Sequence, residues 1–405
     1  MQSVDLVHTA GADELLLSLI NHARWFVNHE RAVLMRADRR EDFASFLYYR
    51  RTHCSLTREK NDFRIREVNK ELPEQFIKRL QQMYTPAEFA QVIRAMSHLP
   101  QTTFRANTLR IMADALQKQL EQEGFTMESI PWYTDAFVLT NKSLRELTET
   151  QSYAQGLLYI QNLSSMIPAL VLDPKPDEMV LDLTAAPGSK TTQIATLMNN
   201  TGKIVANDIS RPRLYKLHAN LKMYGVTNTI VANIPGQTLW EKYPEQFDKT
   251  IVDAPCTMEG RIRPAEPKTY KDWSVKKIRD LAIRQQYLLR SAVSATKVGG
   301  TIVYSTCTLS PEENEGVINW LLKKEGDAIR IEPIEIPGLV MQQGITFWNK
   351  DFNPEVSKTR RIFPTESFEG FFVAKITKLK STLNLKQLPD KYSNRRSRST
   401  KKKHF

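Results

Sequence analysis

Two of the three cysteines in this chain of 405 residues lie where predicted strands end. Cys256 closes the sequence DAPC, which begins at Asp253, and Cys307 is the cysteine of YSTCT. Consecutive strands of a parallel sheet are usually neighbours about 5 Å apart, so both thiols and the carboxylate would face one pocket. A single cysteine is more often an inert core residue, but two at adjacent strand ends weaken that interpretation. The spacing therefore predicts a site that uses both thiols.

The cysteines give little support to disulfide or zinc chemistry. The third one, Cys54, is far from the other two in the sequence, and none belongs to a CxxC pair. Three scattered cysteines are too few for a disulfide framework, and the missing pairs argue against a structural zinc site. We therefore expect free thiols and no bound metal.

Two further predicted strands end in residues that suit ligand binding. The segment Leu181–Lys190 (LDLTAAPGSK) runs from an apolar strand through small residues into a helix. Gly188 permits close backbone approach and the helix start favours an electronegative group, although a simple tight turn is the commoner explanation. Asp208 ends the next strand, where a carboxylate can accept both hydroxyls of a ribose or cap the helix beyond Ser210. Both interpretations of Asp208 stay open.

The elements that must position these residues form an alternating pattern. From about position 176, strands alternate with helices, which is typical of a mainly parallel, doubly wound α/β sheet. In such a sheet ligands bind at the carboxyl ends of the strands, where the four segments above lie. Helices are predicted near 188–199, 211–224, 276–297 and 312–324. The predicted strands are Met179–Leu183, Lys203–Asn207, Thr229–Ala232, Lys249–Val252 and Thr301–Tyr304, with a buried final strand at Gly370–Ile376.

The length of the chain predicts two or three domains. We expect a helical N-terminal extension at 1–65, a small α/β domain at 66–150, a larger α/β domain at 151–380 and a basic tail at 381–405. In the small domain, the patterns predict helices at Leu72–Tyr84, Pro86–Leu99 and Ile111–Glu123, and extended segments at Thr102–Leu109 and Ala136–Thr140.

The charge of the chain favours a polyanionic partner. The net charge is +12, and seven positive charges fall within 391–405, which contains no acidic residue. We expect this segment to be disordered and to make loose phosphate contacts, with a tail that only aids solubility as the alternative. The rest of the chain is also basic, which favours nucleic acid over an acidic small molecule.

The sequence predicts no membrane segment. It has no run of 18 apolar residues, and its first residues lack the basic stretch and apolar core of a secretory signal. We therefore expect a cytoplasmic, monomeric protein without a membrane partner.

Several of these segments together resemble the family of RNA cytosine-5 methyltransferases, which includes the bacterial ribosomal enzymes RsmB and RsmF. The resemblance covers roughly Leu72–Lys378, and the pairing of DAPC with STCT, each at a strand end, is highly specific. The segment 185–200 is especially similar to the RsmF type. The matching segments are FRANTL (104–109), QNLSS (161–165), AAPGSKTTQIATLMNN (185–200), DAPC (253–256), GRIR (260–263), YSTCTLSPEENE (304–315) and GFFVAK (370–375).

The resemblance implies a class I methyltransferase domain at 151–380 that binds S-adenosylmethionine, and an RNA-binding role for the small domain. Asp208 would bind the ribose. Family members usually carry an aspartate before a glycine after the third strand, to meet the adenine, whereas this chain has Pro235-Gly236, so that Asn233 or a backbone amide would take its place. The other implied cofactor-binding residues are Thr184, Ala185, Ala186, Pro187, Gly188, Ser189, Lys190 and Asp253.

The implied reaction forms 5-methylcytosine in RNA, either ribosomal or transfer RNA. Carbon 5 of cytosine is a weak nucleophile, and a thiolate that adds at carbon 6 activates it. By resemblance, Cys307 is that nucleophile and Cys256 assists breakdown of the adduct. Asp253 would bind the Watson–Crick edge, and Lys190 would position the base and favour a thiolate by its charge. The target base must be unstacked to reach such a pocket.

Two alternatives remain at this point. A DNA cytosine-5 methyltransferase would attack with the cysteine that follows proline, but those enzymes lack the STCT sequence. A noncatalytic RNA-binding assembly factor is disfavoured because Asp253, Lys190 and both cysteines are intact, while Pro235 keeps it open. Arg261 and Arg263 follow the first cysteine and suit phosphate contacts, with a solvated loop as the alternative.

Overall fold

The computed structural model describes residues 71–383, which belong to one compact unit. The predicted helical extension at 1–65 and the part of the predicted tail beyond 383 lie outside the described residues. Between 71 and 383, no helix is both long enough and apolar enough to cross a membrane.

The first part of the described chain forms a small antiparallel sheet with helices. Its strands follow the order β2-β3-β1-β4. Helix α2 begins at a capping box, in which Thr85 and Glu88 satisfy each other's backbone N–H groups. The elements are α1 (Glu74–Met83), α2 (Pro86–Ser97), β1 (Thr103–Ala106), α3 (Ala113–Gln122), β2 (Met127–Ile130), β3 (Tyr133–Leu139), α4 (Leu144–Thr148), α5 (Gln151–Ala154) and β4 (Leu158–Ile160).

The second part forms the large sheet that carries the predicted site. Its first half contains α6 (Leu163–Leu172), β5 (Met179–Asp182), α7 (Ser189–Leu197), β6 (Lys203–Asn207), α8 (Arg211–Met223) and β7 (Thr229–Ala232). Its second half contains β8 (Phe247–Asp253), α9 (Val275–Ala295), β9 (Thr296–Thr306), α10 (Glu315–Glu325), β10 (Ile329–Glu332), β11 (Gln342–Gln343), β12 (Arg360–Ile362) and β13 (Phe371–Lys378).

The strand order of the large sheet is β11-β12-β13-β9-β8-β5-β6-β7, with β10 paired to β13. The five strands from β7 to β9 are parallel, and β13 runs antiparallel to β9. Chain order reverses between β5 and β8, which makes this point the topological switch where ligands bind in open α/β sheets. The prediction of a doubly wound α/β fold with a smaller N-terminal part is confirmed.

Alternate residues of the central strands pack against opposite helical layers. Leu181 of β5 joins the cluster formed with α9 and α10, and the adjacent Val180 joins the cluster formed with α6 and α7. Burial on both faces explains why these strands read as continuous apolar runs, because no face is left for polar residues. The strands that end in the site are therefore packed on both faces.

The structure differs from the sequence prediction at several elements, among them β2, α4, α5 and β4, which were not predicted, and three elements of the larger part. The sequence analysis placed no helix over α6, because nine of its ten residues are buried and no polar stripe marks a helical period. Strand β9 begins at Thr296, five residues before the predicted start, and takes over the predicted end of α9. Helix α10 begins at Glu315 rather than near 312, because Glu313 and Asn314 turn their side chains into the protein.

Candidate active site

A cavity of about 670 Å³ lies at the carboxyl ends of β5, β6, β8 and β9. Of the residues predicted for catalysis, for the turn against the methionine part and for the ribose, the lining includes all except Gly188, which lies within the turn behind it. The predicted lining residues are Thr184, Ala185, Ala186, Pro187, Ser189, Lys190, Asp208, Asp253, Cys256 and Cys307. The structure thus brings the four predicted strand ends to one pocket.

The two cysteine sulfurs are in contact in this cavity. Strands β8 and β9 pair in parallel with Asp253 beside Ser305, which brings Cys256 Sγ to 3.4 Å from Cys307 Sγ. Cys256 is buried, whereas Cys307 is partly exposed. The hydrogen bond with Cys307, together with burial, raises the pKa of Cys256 well above its usual range. Cys256 therefore keeps its proton, and the more exposed sulfur is the one suited to attack a ligand.

An ion pair between a buried lysine and a partly exposed aspartate lines the same cavity as the thiols. The Lys190 Nζ donates to Asp253 Oδ2 at 2.7 Å and to Ser165 Oγ at 2.8 Å. Ser305 Oγ donates to the second carboxylate oxygen at 3.0 Å, and Thr184 Oγ1 donates to the Asp253 carbonyl at 2.9 Å. The carboxylate is thus held in one orientation while about a third of its side chain, 34%, stays exposed. It can accept hydrogen bonds from a ligand in the cavity.

The turn between β5 and α7 requires its glycine. Gly188 has φ +112°, and a Cβ at this position would lie 2.9 Å from Leu217 Cδ1 of α8. The positive φ disfavours any side chain here, and a Cβ would also force the Leu217 side chain to shift. The turn therefore brings the backbone of α7's first residues close to the cavity.

Asp182, at the end of β5, is a cavity residue that the sequence analysis did not single out. Its Oδ2 accepts from Thr191 Oγ1 at 2.7 Å, while its Oδ1 has no hydrogen-bond partner among residues 71–383. Burial raises the pKa of this carboxyl to about 7. An acidic residue that ends an apolar strand directly before a turn was the signal that could have revealed it.

Asp208 holds two loops at the cavity and does not cap α8. Its Oδ1 accepts from the Ser210 N–H at 2.9 Å, and its Oδ2 accepts from the Ala186 N–H at 3.3 Å and lies 3.1 Å from Arg213 Nη1. The N-cap residue of α8 is Ser210. The buried carboxylate therefore joins the turn after β5 to the loop after β6, at the place predicted for a ribose.

The residues around Pro235 divide into supporting and cavity-lining groups. Asn233 Nδ2 donates to the carbonyls of Asp208 and Ile209 at 2.7 and 3.1 Å, so this side chain supports the loop after β6. Gly236 and Gln237 line the cavity. The sequence analysis expected either Asn233 or a backbone amide to contact the adenine. Of these two, the backbone beside Gly236 is the one that lines the cavity.

A buried carboxylate clamps the loop that carries Cys256. Glu313 Oε2 accepts from the Thr257 N–H at 3.0 Å and from Gln285 Nε2 at 2.8 Å, and the same Nε2 donates to the Pro255 carbonyl at 2.8 Å. Burial, followed by the charge of the nearby Glu259, raises the pKa of Glu313 to about 7. The sequence analysis missed this group, since SPEENE reads as an exposed helix start.

The two arginines predicted as phosphate contacts occupy different environments. Arg261 lines the cavity, and its Nε donates to Glu369 Oε2 at 2.7 Å. The Nη1 of Arg263 donates to the neighbouring Ile262 carbonyl at 3.1 Å. Of the two, Arg261 therefore lines the cavity that holds the thiols, and Arg263 does not.

The chain matches known protein families and curated proteins. Residues 169–377 match the family described as 16S rRNA methyltransferase RsmB/F, and residues 72–163 match the N-terminal domain of 16S rRNA methyltransferase RsmF. Ribosomal RNA small subunit methyltransferase F of Vibrio cholerae is 40% identical over 319 residues, which cover 77% of this chain and 65% of the relative. The corresponding methyltransferase of Vibrio atlanticus is 39% identical over 317 residues, which cover 74% of this chain and 65% of that relative. The chain thus spans about two thirds of the length of these relatives.

Solved structures agree as well. A methyltransferase homolog protein from Pyrococcus horikoshii is 36% identical with a TM-score of 0.67, and the match covers 76% of this chain and 95% of that one. NSun6 from the same organism, solved with SFG, has a TM-score of 0.66 at 24% identity, covers 77% of this chain and 100% of that one, and supports the fold alone. The family matches, the shared fold and the paired cysteines lead to one conclusion: the chain belongs to the RsmB/F family of 16S rRNA methyltransferases.

Proposed function

We propose that this chain transfers a methyl group from S-adenosylmethionine to carbon 5 of a cytosine in ribosomal RNA, through a covalent bond between Cys307 and the base. The observation that carries the proposal is the sulfur pair, in which the buried Cys256 lies 3.4 Å from the partly exposed Cys307. Ribosomal RNA is favoured over transfer RNA because the curated relatives are named as ribosomal RNA small subunit methyltransferases.

The side of the cavity formed by β5 and β6 fits S-adenosylmethionine, whose sulfonium supplies an electrophilic methyl group. The turn at 184–190 would contact the methionine part, and Asp208 would accept from the ribose hydroxyls. Asp182 supports this fit, because its buried Oδ1 lacks a partner among the described residues and suits the cationic amino group of the methionine part. The backbone near Gly236 would contact the adenine.

The other side of the cavity suits a flipped cytosine. Asp253 would accept hydrogen bonds from the Watson–Crick edge, with Lys190 holding the carboxylate in place. The thiolate of Cys307 forms a bond to carbon 6, and carbon 5 then carries the electron density that takes the methyl group. The carbon 5 proton next leaves to a base, and the bond between sulfur and carbon 6 breaks to restore the thiolate and the aromatic ring.

The contact between the sulfurs gives Cys256 a role that changes during this sequence. Its hydrogen bond to Cys307 is the largest cause of its raised pKa. When Cys307 becomes a neutral thioether, that cause is lost, while burial still raises the pKa of Cys256. Cys256 is then the thiol that lies beside the adduct and would assist its release.

Alanine substitutions at the two cysteines test the proposal. With S-adenosylmethionine and a cytosine-containing ribosomal RNA fragment, the unaltered protein should form 5-methylcytosine, measured by mass spectrometry of the digested nucleosides. Cys307→Ala should abolish both the product and the covalent adduct. Cys256→Ala should stop turnover but accumulate a ribonuclease-sensitive band on a denaturing gel.

Other outcomes of this experiment would contradict the proposal. An adduct formed by Cys307→Ala but not by Cys256→Ala would assign the attack to Cys256, as in DNA cytosine-5 methyltransferases. Unchanged activity in both variants would make the thiols core residues. A matched DNA oligonucleotide serves as the substrate control and should not be methylated.

A further inference from the structure

Arg105 of β1 is a buried cation that the proposed reaction does not use. Its side chain belongs to the segment FRANTL and is 1% exposed, and its guanidinium carbon lies 4.9 Å from the ring centre of Tyr159. Burying an ionised group costs free energy unless its hydrogen bonds are satisfied. The position of Arg105 in the fold therefore depends on the groups to which it donates.

The guanidinium joins the small sheet to the first turn of α7. Its Nη2 donates to the Thr192 hydroxyl at 2.7 Å and to the Ser189 carbonyl at 3.2 Å. Its Nε donates to Gln161 Oε1 at 2.9 Å. All three acceptors are uncharged, and a planar group with several donors can serve them at once. Because Ser189 directly precedes Lys190, Arg105 holds the backbone from which the Lys190 side chain extends.

A second path of hydrogen bonds leads from Arg105 to the ammonium group of Lys190. Gln161 Nε2 donates to the Ser165 carbonyl at 3.0 Å, and Lys190 Nζ donates to the hydroxyl of the same serine at 2.8 Å. The ammonium group also donates to Asp253 Oδ2 at 2.7 Å. The four residues on this path before the aspartate are at most 6% exposed. Arg105 is thus connected, directly or through Gln161, to both helices that hold Lys190, α6 and α7.

We propose that Arg105 is a positioning residue for the pair of Lys190 and Asp253, through which the small sheet fixes the part of the cavity that receives the cytosine. The lining of the cavity excludes Arg105 and includes Gln161, Ser165, Lys190 and Asp253. Arg105 therefore acts through these side chains without touching a ligand in the cavity. Its role in methyl transfer rests on the proposed function, whereas its effect on the Lys190 side chain does not.

The first test separates the rate of methyl transfer from the binding of RNA. With saturating S-adenosylmethionine and ribosomal RNA fragment, Arg105→Met should form 5-methylcytosine roughly 10- to 100-fold more slowly in a single turnover, because reacting groups must be aligned closely. Its affinity for the RNA, measured by filter binding, should stay within about threefold of the unaltered protein, since phosphate contacts supply most of that affinity. Gln161→Met removes only the path to Ser165 and should slow the transfer by a smaller factor.

Asn107→Ala is the matched control. Asn107 follows β1, is 1% exposed like Arg105, and donates to the carbonyls of Gly156 and Tyr224 at 2.8 and 3.0 Å. Neither bond leads to Lys190, so the rate of single-turnover methyl transfer should equal that of the unaltered protein, whatever loss of stability thermal melting shows. An equal loss of rate in Asn107→Ala and Arg105→Met would make the role of Arg105 merely structural and overturn the proposal.

Acetylation of Lys190 tests the same connection without RNA or S-adenosylmethionine. The amine reagent N-acetoxysuccinimide reacts with Lys190 when its amino group leaves Asp253 and Ser165, and mass spectrometry of the peptide follows the reaction. In Arg105→Met, Lys190 should be acetylated roughly fivefold faster than in the unaltered protein, because the loss of hydrogen bonds eases local opening. Lys276, which is 87% exposed, should react equally in both proteins. An unchanged rate at Lys190 in the folded variant would overturn the proposal.

The two measurements distinguish this proposal from the proposed function. If the unaltered protein forms no 5-methylcytosine, the proposed function is contradicted, and the acetylation rates still report whether Arg105 positions Lys190. If thermal melting shows that Arg105→Met does not fold, Gln161→Met decides, because it keeps the contacts between Arg105 and α7. Folded Gln161→Met with unchanged methyl transfer and unchanged acetylation of Lys190 would then refute the proposal.

Discussion

Replacing Lys190 by methionine should lower the free energy of unfolding far more than the loss of an exposed lysine on the protein surface would. The ammonium group is 4% exposed and makes hydrogen bonds of 2.7 and 2.8 Å to Asp253 and Ser165. Hydrogen bonds to charged groups are worth about 1.5–3 kcal/mol, and the partial exposure of Asp253 reduces the cost of leaving it unpaired. We expect a loss of about 2 kcal/mol, or roughly 4 °C in Tm.

A double-mutant cycle isolates the ion pair. Combining Asp253→Asn with Lys190→Met removes the carboxylate that the single Lys190→Met variant leaves without its cation. In urea unfolding, the double variant should therefore lose about 1 kcal/mol less free energy of unfolding than the two single variants lose in total. The exposed pair Lys276–Asp280, at 3.0 Å and with side chains 87% and 61% exposed, is the control and should show coupling below about 0.5 kcal/mol. If the losses in free energy of unfolding caused by Lys190→Met and Asp253→Asn simply added in the double variant, the reasoning would be wrong.

Three further predictions follow from the site and the sequence. Asp208→Ala should weaken binding of S-adenosylmethionine by roughly 10- to 100-fold in calorimetry, corresponding to about 1.5–3 kcal/mol for bonds to a charged group, and an unchanged affinity would contradict the ribose contact. Burial raises the pKa of Glu313 in the folded protein to about 7, above its ordinary value of 4.5, so its contribution to stability is fully present below pH 4.5 and is lost as the pH rises through 7. In urea unfolding between pH 5 and 8, the free energy of unfolding should therefore decline with pH, and the decline should be smaller in Glu313→Gln. Equal declines in the variant and the unaltered protein would argue against this role of Glu313. Removal of residues 391–405 should flatten the dependence of RNA affinity on salt and leave methyl transfer intact; an unchanged slope would assign that segment no phosphate contacts.

The parts of the site that follow from chain order were predictable. Cys256 and Cys307 meet because β8 and β9 are consecutive parallel strands, and this contact required only the strand pattern and the rule that such strands pair. Asp208 was placed correctly at a strand end, but its competing interpretation as a helix cap could be resolved only by the hydrogen bonds to Ser210 and Ala186.

The parts that depend on tertiary packing were not predictable. Glu313 reads as a surface residue because Ser-Pro-Glu-Glu is a common start of an exposed helix, and nothing local indicates that it bonds to Thr257 and Gln285. Ser165 lies on α6, whose burial on all sides removes the periodicity by which a helix is recognised. In both cases the determining contacts come from residues distant in sequence.

The antiparallel pairing of β13 with β9 has a consequence for synthesis of the protein on the ribosome. Phe372 pairs with Thr306, the residue directly before Cys307, and about sixty residues separate these two strands in the sequence. Until β13 has been translated, the strand that leads to the nucleophile presents an open edge, and such edges invite pairing with other chains. A nascent chain that pauses between β9 and β13 would therefore expose this edge to pairing with other chains.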